Sequence, residues 1–167
     1  MTERFTESRA TAEDFGHEFL VSCPRCASRA LVRDRGPDAF ERRIVLSCAT
    51  CGHADVFQRT QPGVRTCADP TWFETGAVGI GAPVDWYFHL PLWLQAPCCG
   101  EVLWAWNAAH LDFLERYVRA QLRERVPSDE HGWSNRSLVS RMPRWISAAK
   151  NRSAVLATIA RLRERVP

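Results

Sequence analysis

The sequence predicts an α+β fold, in which a β-rich N-terminal part is followed by a β-hairpin packed with C-terminal helices. Three observations support this prediction. Two C-x-x-C turns, at 23–26 and 48–51, each lie between strand-like segments. A further strand–turn–strand pattern covers 91–107, and apolar residues then recur at helical spacing to the end of the chain.

Length and composition are those of a globular protein with room for one compact domain or two small ones. The chain has 167 residues, of which 46% are hydrophobic and 25% are charged. Its N-terminus has no apolar run, and no later stretch is long and apolar enough to span a bilayer. We therefore expect a cytoplasmic protein without a membrane partner. In that reducing compartment, paired cysteines are more often metal ligands than disulfides.

The two cysteine pairs have the spacing of a metal site. "EFLVSCPRCASRALVRD" enters and leaves the first turn through apolar residues, and "RRIVLSCATCGHADVFQ" repeats the pattern. Four thiolates form a closed tetrahedral shell, which is typical of structural zinc. So small a unit has too little core to be stable alone, and metal binding would supply the missing stability. The sequence predicts a zinc ribbon over 17–60, with one Zn²⁺ per chain bound by Cys23, Cys26, Cys48 and Cys51.

Other chemistry at these four thiols is less consistent with the pattern. A rubredoxin-like iron site uses the same ligands, so an electron carrier stays an alternative. A thioredoxin-type dithiol requires its cysteines at a helix N-terminus, whereas strands flank both pairs here. A disulfide framework requires an oxidising compartment. Zinc is the prediction that we carry forward.

These residues resemble a known family. The CPRC turn, the CATCG turn and their flanking strands, over about residues 19–57, are similar to the transcription-factor-IIB-type zinc ribbons of transcription and translation machinery. The resemblance covers about a quarter of the chain and implies a fold and a docking or nucleic-acid-contacting role, but no activity. The remainder is similar to small bacterial proteins that carry a ribbon ahead of an "LPLWL…CCG…LWAWN" segment, and this similarity likewise implies no activity.

The predicted domain boundaries follow from composition. Residues 1–16 are polar and aperiodic, and we expect a mobile tail. Residues 61–83 are rich in glycine and proline and are expected to be a linker; their "GAVGIG" matches no phosphate-binding order. The second unit is predicted to span 84–167.

The second unit is expected to begin with a hairpin around "APCCG". Shifted by 48 residues, this segment overlays the second cysteine turn, but Ala96 stands where Cys48 would be. It therefore has the pattern of a degenerate ribbon. A second metal site formed by Cys67, Cys98, Cys99 and His89 stays open as an alternative to buried, inert thiols. A cysteine nucleophile with His110 as base is a further alternative, that of a thiol enzyme.

Helices are predicted after the hairpin. Asn107 is expected to cap a helix running to about residue 125, which buries Leu111, Leu114, Val118 and Leu122. Short helices are expected from Ser137 and Pro143, and a last helix from Ser153. The strand tryptophans Trp86, Trp93, Trp104 and Trp106 are expected to form a core, whereas Trp145 is the candidate for an exposed docking residue.

Charge is unevenly distributed along the chain. Residues 116–167 carry 12 arginines and lysines against 4 acids (+8), and residues 1–115 carry 10 against 15 (−5), which gives the overall +3. A basic C-terminal third attracts anionic partners, nucleic acid first among them. The predicted nucleic-acid contacts are Arg116, Arg119, Arg123, Arg141, Arg144, Lys150, Arg161 and Arg165.

The function that the sequence predicts is that of a non-enzymatic, zinc-binding adaptor or regulator, which contacts nucleic acid or a nucleic-acid-associated protein. No serine–histidine–aspartate order, paired-carboxylate motif or HExxH motif is present. The carboxylates and histidines near the expected second unit are accounted for by capping and helix-dipole effects. The alternatives are a protein–protein docking module without nucleic-acid binding, an iron electron carrier and a thiol enzyme. No small-molecule substrate is evident.

Overall fold

A computed structural model of the chain describes residues 10–36, 43–57, 82–120 and 137–166, together with the backbone of residues 4–6 and 122–124. It contains helices and strands in comparable amounts, which confirms the predicted α+β class. Two compact units are present: the sheet unit, residues 17–94, and the helical unit, residues 1–16 and 95–167. The two longest described helices have 12 residues each, too few to cross a bilayer.

Eight strands and four α-helices are described. The strands are β1 (Arg4–Thr6), β2 (Glu18–Ser22), β3 (Arg29–Asp34), β4 (Ile44–Ser47), β5 (Ala54–Val56), β6 (Leu94–Cys98), β7 (Glu101–Ala105) and β8 (Leu122–Glu124). The helices are α1 (Ala108–Arg119), α2 (Leu138–Arg141), α3 (Arg144–Ser147) and α4 (Arg152–Arg163). Short 3₁₀ helices lie at Glu13–Phe15 and Ala149–Asn151.

The sheet unit is an antiparallel meander in the order β2-β3-β4-β5. Phe19 pairs with Val32, and Val32 pairs with Leu46, so that three apolar side chains line up across three strands. Each of the three is at most 1% exposed. Alternation along the strands thus gives the sheet one continuous apolar face.

Residues 82–94 pack on the meander and belong to the sheet unit. The Trp93 N–H donates to the Leu20 carbonyl (2.9 Å), and the Ser22 N–H donates to the Pro91 carbonyl (2.8 Å). The Phe19 ring contacts the rings of Trp86 and Tyr87 at 5.1 and 5.9 Å between centroids. The unit boundary therefore falls at 94/95, beyond the predicted boundary at 83/84. Most of the predicted 61–83 linker, with Cys67, lies outside the described residues.

Asp85 holds the loop that carries these aromatic residues. The carboxylate is 1% exposed and accepts backbone N–H groups from Tyr87 and Phe88 (both 2.8 Å, to Oδ1) and from Leu90 (2.7 Å, to Oδ2). Burial raises the pKa of Asp85, while these three hydrogen bonds oppose the rise. The side chain thus replaces the water that would otherwise bind three backbone donors in a tight loop.

The helical unit contains the predicted hairpin, formed by β6 and β7. Its connection consists of Cys99 and Gly100, both with positive φ (+56° and +82°). Two left-handed residues are what a two-residue type I′ hairpin turn requires. This connection differs from the second cysteine turn, on which the 48-residue shift overlays it. In that turn only Gly52 has positive φ, whereas Cys51, the residue equivalent to Cys99, does not.

Helix α1 begins at the predicted cap. The Asn107 side-chain oxygen accepts the His110 N–H (3.0 Å), and its amide nitrogen donates to the Phe15 carbonyl (2.8 Å). Phe15 also contacts the rings of His110 and Phe113 at 5.3 and 5.5 Å. Residues 10–16 therefore differ from the mobile tail that their polarity predicts, because one aromatic side chain and one carbonyl attach them to the helix.

Helix α1 ends earlier than its apolar spacing predicts. It stops at Arg119, where Ala120 takes extended dihedral angles (φ −62°, ψ 128°). The backbone then enters β8, which pairs in parallel with β1, with Arg123 opposite Phe5. Arg123 is thus on a strand and not in line with Arg116 on the helix. The pairing with an N-terminal strand is a long-range interaction that a local helical pattern does not reveal.

The remaining helices begin close to their predicted starts. Ser137 caps α2, with its hydroxyl accepting the Ser140 N–H at 3.3 Å, and Pro143 immediately precedes α3. Helix α4 begins one residue before the predicted Ser153 and packs on α1 and α3. The predicted buried residues Val155, Ile159 and Leu162 are at most 1% exposed. Among the predicted core tryptophans, Trp106 is buried and Trp86, Trp93 and Trp104 are half-buried.

Replacing Asp85 is expected to destabilise the sheet unit in two steps. Asp85→Ala removes three acceptors and leaves buried N–H groups without partners, at about 1–3 kcal/mol for each unsatisfied group. Asp85→Asn keeps one oxygen that can accept the N–H groups of Tyr87 and Phe88. Its amide nitrogen is a donor, however, and cannot accept the Leu90 N–H. Urea unfolding should therefore rank the free energy of unfolding as wild type, then Asn, then Ala. Equal stability of the three proteins would contradict this role.

His110 is expected to make the helical unit sensitive to acid. Burial lowers the pKa of His110 to about 3. The His110 ring stacks on the Trp106 ring, and its Nδ1 accepts a hydrogen bond from the backbone N–H of Trp106. Below the ordinary pKa of about 6.5, the unfolded chain therefore binds one proton more than the folded chain. Stability should fall as pH drops from about 6.5 towards 3, by at most about 1.4 kcal/mol per pH unit from this group.

The matched variant is His110→Asn, which retains an acceptor for the Trp106 N–H but does not titrate. Its unfolding free energy should be lower than that of wild type at pH 7.5 and should decline less steeply between pH 6.5 and 4. Parallel pH profiles for the two proteins would show that the folded His110 takes up its proton normally.

Candidate metal centre

The two C-x-x-C turns lie at the same end of the sheet unit because the strands form a meander. The first turn connects β2 to β3, the second connects β4 to β5, and the β3–β4 connection lies at the opposite end. The pairing of Leu31 with Ser47 brings the start of β3 beside the end of β4. Strand order and register thus place two turns, 25 residues apart in sequence, next to each other in space.

The two turns have the same backbone hydrogen bonds. The Cys23 N–H donates to the Ser28 carbonyl and the Cys48 N–H to the His53 carbonyl, each at 2.8 Å. In return, the Ala27 N–H donates to the Cys23 carbonyl (2.9 Å) and the Gly52 N–H to the Cys48 carbonyl (3.0 Å). Each turn is therefore a closed loop of defined shape, and the second repeats the first.

The residue after the second cysteine of each turn is left-handed. Gly52 has φ +71°, and Ala27 has φ +58° at the equivalent position of the first turn. Glycine adopts this region without steric cost, whereas an L-residue such as alanine disfavours it by about 1–2 kcal/mol. The first turn thus holds a strained residue so that Cys23 and Cys26 can face the same point.

The four sulfur atoms converge within 4.8 Å of one another. The Cys23 and Cys51 sulfurs are 3.8 Å apart, and the Cys26 and Cys48 sulfurs are 3.6 Å apart. Four sulfurs around a tetrahedral ion with bonds of about 2.3 Å would be separated by about 3.8 Å. Both distances across the two turns fit that geometry.

Backbone N–H groups point at the sulfurs in a regular way. A donor lies two residues after each cysteine: Arg25 for Cys23 (3.4 Å), and then Ser28, Thr50 and His53 for Cys26, Cys48 and Cys51 in turn. The Cys48 sulfur also accepts the Cys51 N–H, which lowers its pKa more than the Thr50 N–H does. Hydrogen bonds of this kind favour the thiolate over the thiol. Sequence reasoning did not identify these donors, although one signal was present. The proline of CPRC stands one residue after Cys23, where no N–H is required.

The pKa values of Cys26 and Cys51 are shifted in opposite directions, by hydrogen bonds in the first case and by desolvation and neighbouring sulfurs in the second. The Ser28 N–H and hydroxyl lower the pKa of Cys26 to about 6. For Cys51, the His53 N–H favours the thiolate, but burial and the three neighbouring sulfurs outweigh it and raise the pKa to about 12. Like charges at these distances cannot all form without a compensating cation. A divalent ion at the centre would remove this conflict, and its binding would release protons.

These four cysteines could hold a metal ion, and they are not disulfide-bonded. The six cysteines in the described part of the chain are all free thiols. Sulfur–sulfur distances of 3.6 and 3.8 Å are far from the roughly 2.05 Å of a disulfide. Cys23 and Cys48 are buried, Cys26 is half-buried and Cys51 is exposed, so an ion can reach the site from one side.

The alternative second metal cluster does not form among the described residues. There, the four cysteines are the one group of three or more candidate ligands, and it excludes His89, Cys98 and Cys99. Cys67 lies outside the described residues. The sulfurs of Cys98 and Cys99 are nevertheless 3.7 Å apart, contrary to the expectation that neighbouring side chains face opposite sides. That expectation holds for extended strands, whereas Cys99 is in a left-handed turn.

The candidate acids and bases have structural partners. His110 is surrounded by aromatic rings, with Trp106 at 4.4 Å and Phe15 at 5.3 Å. Asp112 and Glu115 of α1 both form ion pairs with Arg163 of α4, at 2.6 Å for Asp112. Burial would raise the pKa of Glu115, but its hydrogen bonds with Arg163 and Arg119 hold it below the ordinary value. The ion pairs of Asp112 and Glu115 with Arg163 join α1 to α4.

The predicted basic residues separate into different environments. Arg116, Arg141, Arg144, Lys150, Arg161 and Arg165 are exposed in the helical unit. Arg119 is also exposed but forms an i,i+4 ion pair with Glu115 (2.6 Å), and the side chain of Arg123 is outside the described residues. Arg161 donates to the Thr158 hydroxyl, and Arg165 donates to the Gln95 carbonyl. Arg144, Lys150 and Arg161 belong to α3, the following 3₁₀ helix and α4. These three elements pack together.

The two structural units differ less in net charge than the two parts of the linear sequence do. The helical unit includes the N-terminal 16 residues and has 14 arginines and lysines against 11 acids, a net of +3. The sheet unit has 8 against 8, a net of zero. Positive charge is concentrated instead in residues 137–166, which have seven basic residues and one acid, Glu164. Among the described residues, net positive charge is thus greatest in the segment of the last helices.

Replacing one of the four cysteines is expected to abolish metal binding. Cys48→Ser removes one sulfur and leaves three, so zinc content measured by elemental analysis should fall from one equivalent to about zero. Because an ion bound by all four sulfurs would connect the two turns, amide protection at 23–28 and 48–53 should be lost first in hydrogen exchange. The rest of the meander retains its apolar face and should exchange later. Metal content of one equivalent with native protection would contradict the assignment.

The matched control is the triple variant Cys67→Ser, Cys98→Ser and Cys99→Ser. It removes the same kind of side chain, leaves the four predicted ligands in place and should keep one zinc per chain. A decrease from two equivalents to one would instead establish a second zinc site.

Comparisons of the chain with protein-family models, with curated proteins and with solved structures gave no match. The resemblance to transcription-factor-IIB-type ribbons therefore depends on the two cysteine turns and their strands alone.

Proposed function

We propose that this protein binds one Zn²⁺ through Cys23, Cys26, Cys48 and Cys51, and that the metal stabilises a zinc ribbon. The convergence of four free sulfurs at tetrahedral spacing is the observation that carries the proposal. The repeated N–H donors to sulfur support it, because they stabilise thiolates before a metal arrives. Free thiols of this kind are suited to a reducing compartment such as the cytoplasm.

Zinc is favoured over iron on chemical grounds, although the two accept the same ligands. A rubredoxin-like iron would act as an electron carrier, and aerobic protein with iron bound would be coloured. Zinc has no redox chemistry and gives a colourless protein. One equivalent of zinc in colourless protein purified without added metal would support the structural role, whereas an iron chromophore would favour the electron carrier.

The proposed role of the metal is structural and not catalytic. Four sulfurs occupy all four positions of a tetrahedral ion, so no position remains for water or substrate. The thiol and histidine proposed as an alternative pair are poorly suited to catalysis. Partial desolvation and the neighbouring Cys98 raise the pKa of the exposed Cys99 thiol, and burial lowers that of His110 to about 3. The thiol would be a weak nucleophile and the imidazole a weak base at neutral pH.

The function that we propose for the assembled protein is that of an adaptor that contacts nucleic acid through its last helices. Residues 137–166 have a net charge of +6, and Arg144 and Lys150 are exposed on adjacent, packed elements. Arginine and lysine contacts with phosphate give affinity that depends on salt and little on base sequence. The ion pair of Arg119 with Glu115 makes Arg119 a weaker candidate than the sequence suggested.

Neutralising two of the exposed residues is expected to flatten the salt dependence of binding. Arg144→Gln with Lys150→Gln removes two phosphate contacts, and each lost contact lowers the slope of log K against log salt by about 0.7–0.9. Fluorescence anisotropy with DNA and RNA oligonucleotides between 25 and 200 mM salt, chosen as roughly the range of strong salt effects, measures this slope. Neither side chain belongs to the buried core, so thermal stability should be unchanged.

The charge-matched control is Arg25→Gln with Arg29→Gln, which neutralises two exposed residues of the sheet unit and should leave the slope unchanged. Equal effects of the two double variants would mean that only net charge matters. If wild-type protein binds neither DNA nor RNA at low salt, the nucleic-acid proposal is wrong and the protein–protein docking module replaces it. The neutral charge of the sheet unit favours that second role for the ribbon.

A further inference from the structure

Cys98 and Cys99 form a pair of adjacent thiols that the proposed zinc site does not use. Their sulfurs are 3.7 Å apart at the tip of the β6–β7 hairpin. Cys98 is 6% exposed, whereas Cys99 is exposed to solvent. One sulfur is therefore directly accessible, and the second lies behind it within reach of an ion that the first has bound.

The backbone at Cys99 explains how two neighbouring side chains come together. Cys99 has φ +56° at the first central position of the turn, where asparagine, aspartate and glycine are preferred. A cysteine in this conformation is strained, and strain at a non-glycine residue is associated with function. The left-handed conformation turns the Cys99 side chain towards Cys98 instead of away from it. The sulfur spacing is thus a consequence of the turn.

The distance between the Cys98 and Cys99 sulfurs suits an ion that binds both of them at an angle. Two sulfurs on a tetrahedral ion with bonds of about 2.3 Å are about 3.8 Å apart. A disulfide would require the same sulfurs to approach to about 2.05 Å within a tight turn. A linear two-sulfur ion would require them on opposite sides of the metal, farther apart than in a bent chelate. The pair is therefore placed for an ion that binds two sulfurs at an angle.

The surroundings define which ions fit. No third histidine, cysteine or carboxylate joins the pair among the described residues, so a metal that demands four protein ligands is not satisfied. Lys150 lies close enough to Cys99 to act on it electrostatically and would offset the charge of bound thiolates. A trivalent arsenical with one organic substituent needs two sulfurs, takes them at an angle and has high affinity for thiols.

We propose that Cys98 and Cys99 form a two-sulfur site for thiophilic trivalent arsenicals. The reaction with phenylarsine oxide is a condensation: two S–H groups and one arsenic–oxygen unit give two As–S bonds and one water molecule. Arsenic stays trivalent, and no oxidant or reductant takes part. This site is separate from the four-sulfur cluster and does not depend on the proposed function.

The test uses zinc-loaded, full-length protein and phenylarsine oxide as the probe. Mass spectrometry under native conditions should show one adduct per chain with zinc retained, and two fewer thiols should react with a thiol reagent. The Cys99→Asn and Cys98→Ser variants each retain only one of the two sulfurs of the pair. Because the second As–S bond is intramolecular in wild type, its loss should lower the apparent affinity about 10²–10⁴-fold.

Cys99→Asn is the decisive variant because asparagine suits the left-handed position better than cysteine, so that the hairpin should fold at least as well. Its melting temperature should equal or exceed that of wild type, and its zinc content should be the same. Cys67→Ser is the control and should bind the arsenical like wild type. The proposal is overturned if Cys99→Asn binds as tightly as wild type, if Cys67→Ser abolishes binding, or if uptake of the arsenical releases zinc.

Discussion

Convergence of four cysteine sulfurs on one point is the constraint on which the sheet unit depends. It requires both turns at one end of the meander, and therefore three antiparallel pairings in sequence. It also requires a left-handed residue after Cys26 and after Cys51, which Ala27 adopts at a steric cost and Gly52 without one. The same crowding raises the pKa of Cys51, because four close sulfurs cannot all carry charge without a cation, whereas hydrogen bonds from Ser28 lower the pKa of Cys26.

Buried polar side chains organise the rest of the molecule. Asp85 binds three backbone N–H groups and shapes the loop whose aromatic residues cover the meander. Asn107 caps helix α1 and at the same time binds the Phe15 carbonyl. His110 accepts a backbone N–H inside an aromatic cluster. Residues of types that often serve as acids and bases thus satisfy backbone groups that are buried from water.

Charge in this protein must be counted over units that fold together and not over the linear sequence. The N-terminal acids Glu13 and Asp14 belong to the same unit as the basic helices, and Asp112 of α1 pairs with Arg163 of α4. Both effects reduce the positive electrostatic potential of the C-terminal helices below what the charge count along the sequence suggests. What remains is the basic segment of the last helices, and phosphate recognition is proposed there because exposed arginine and lysine side chains can contact phosphate.

The sequence by itself determined the local features: the four ligands, the strands around them, the Asn107 cap and the apolar stripe of α4. These depend on spacing and side-chain chemistry over a few residues. Tertiary structure alone decided which segments join which unit, where α1 ends, and how Cys98 and Cys99 face each other. The N-terminal segment joins the helices through Phe15, and residues 82–94 join the meander. Such contacts connect residues far apart in sequence, and a local hydrophobic period has no information about them.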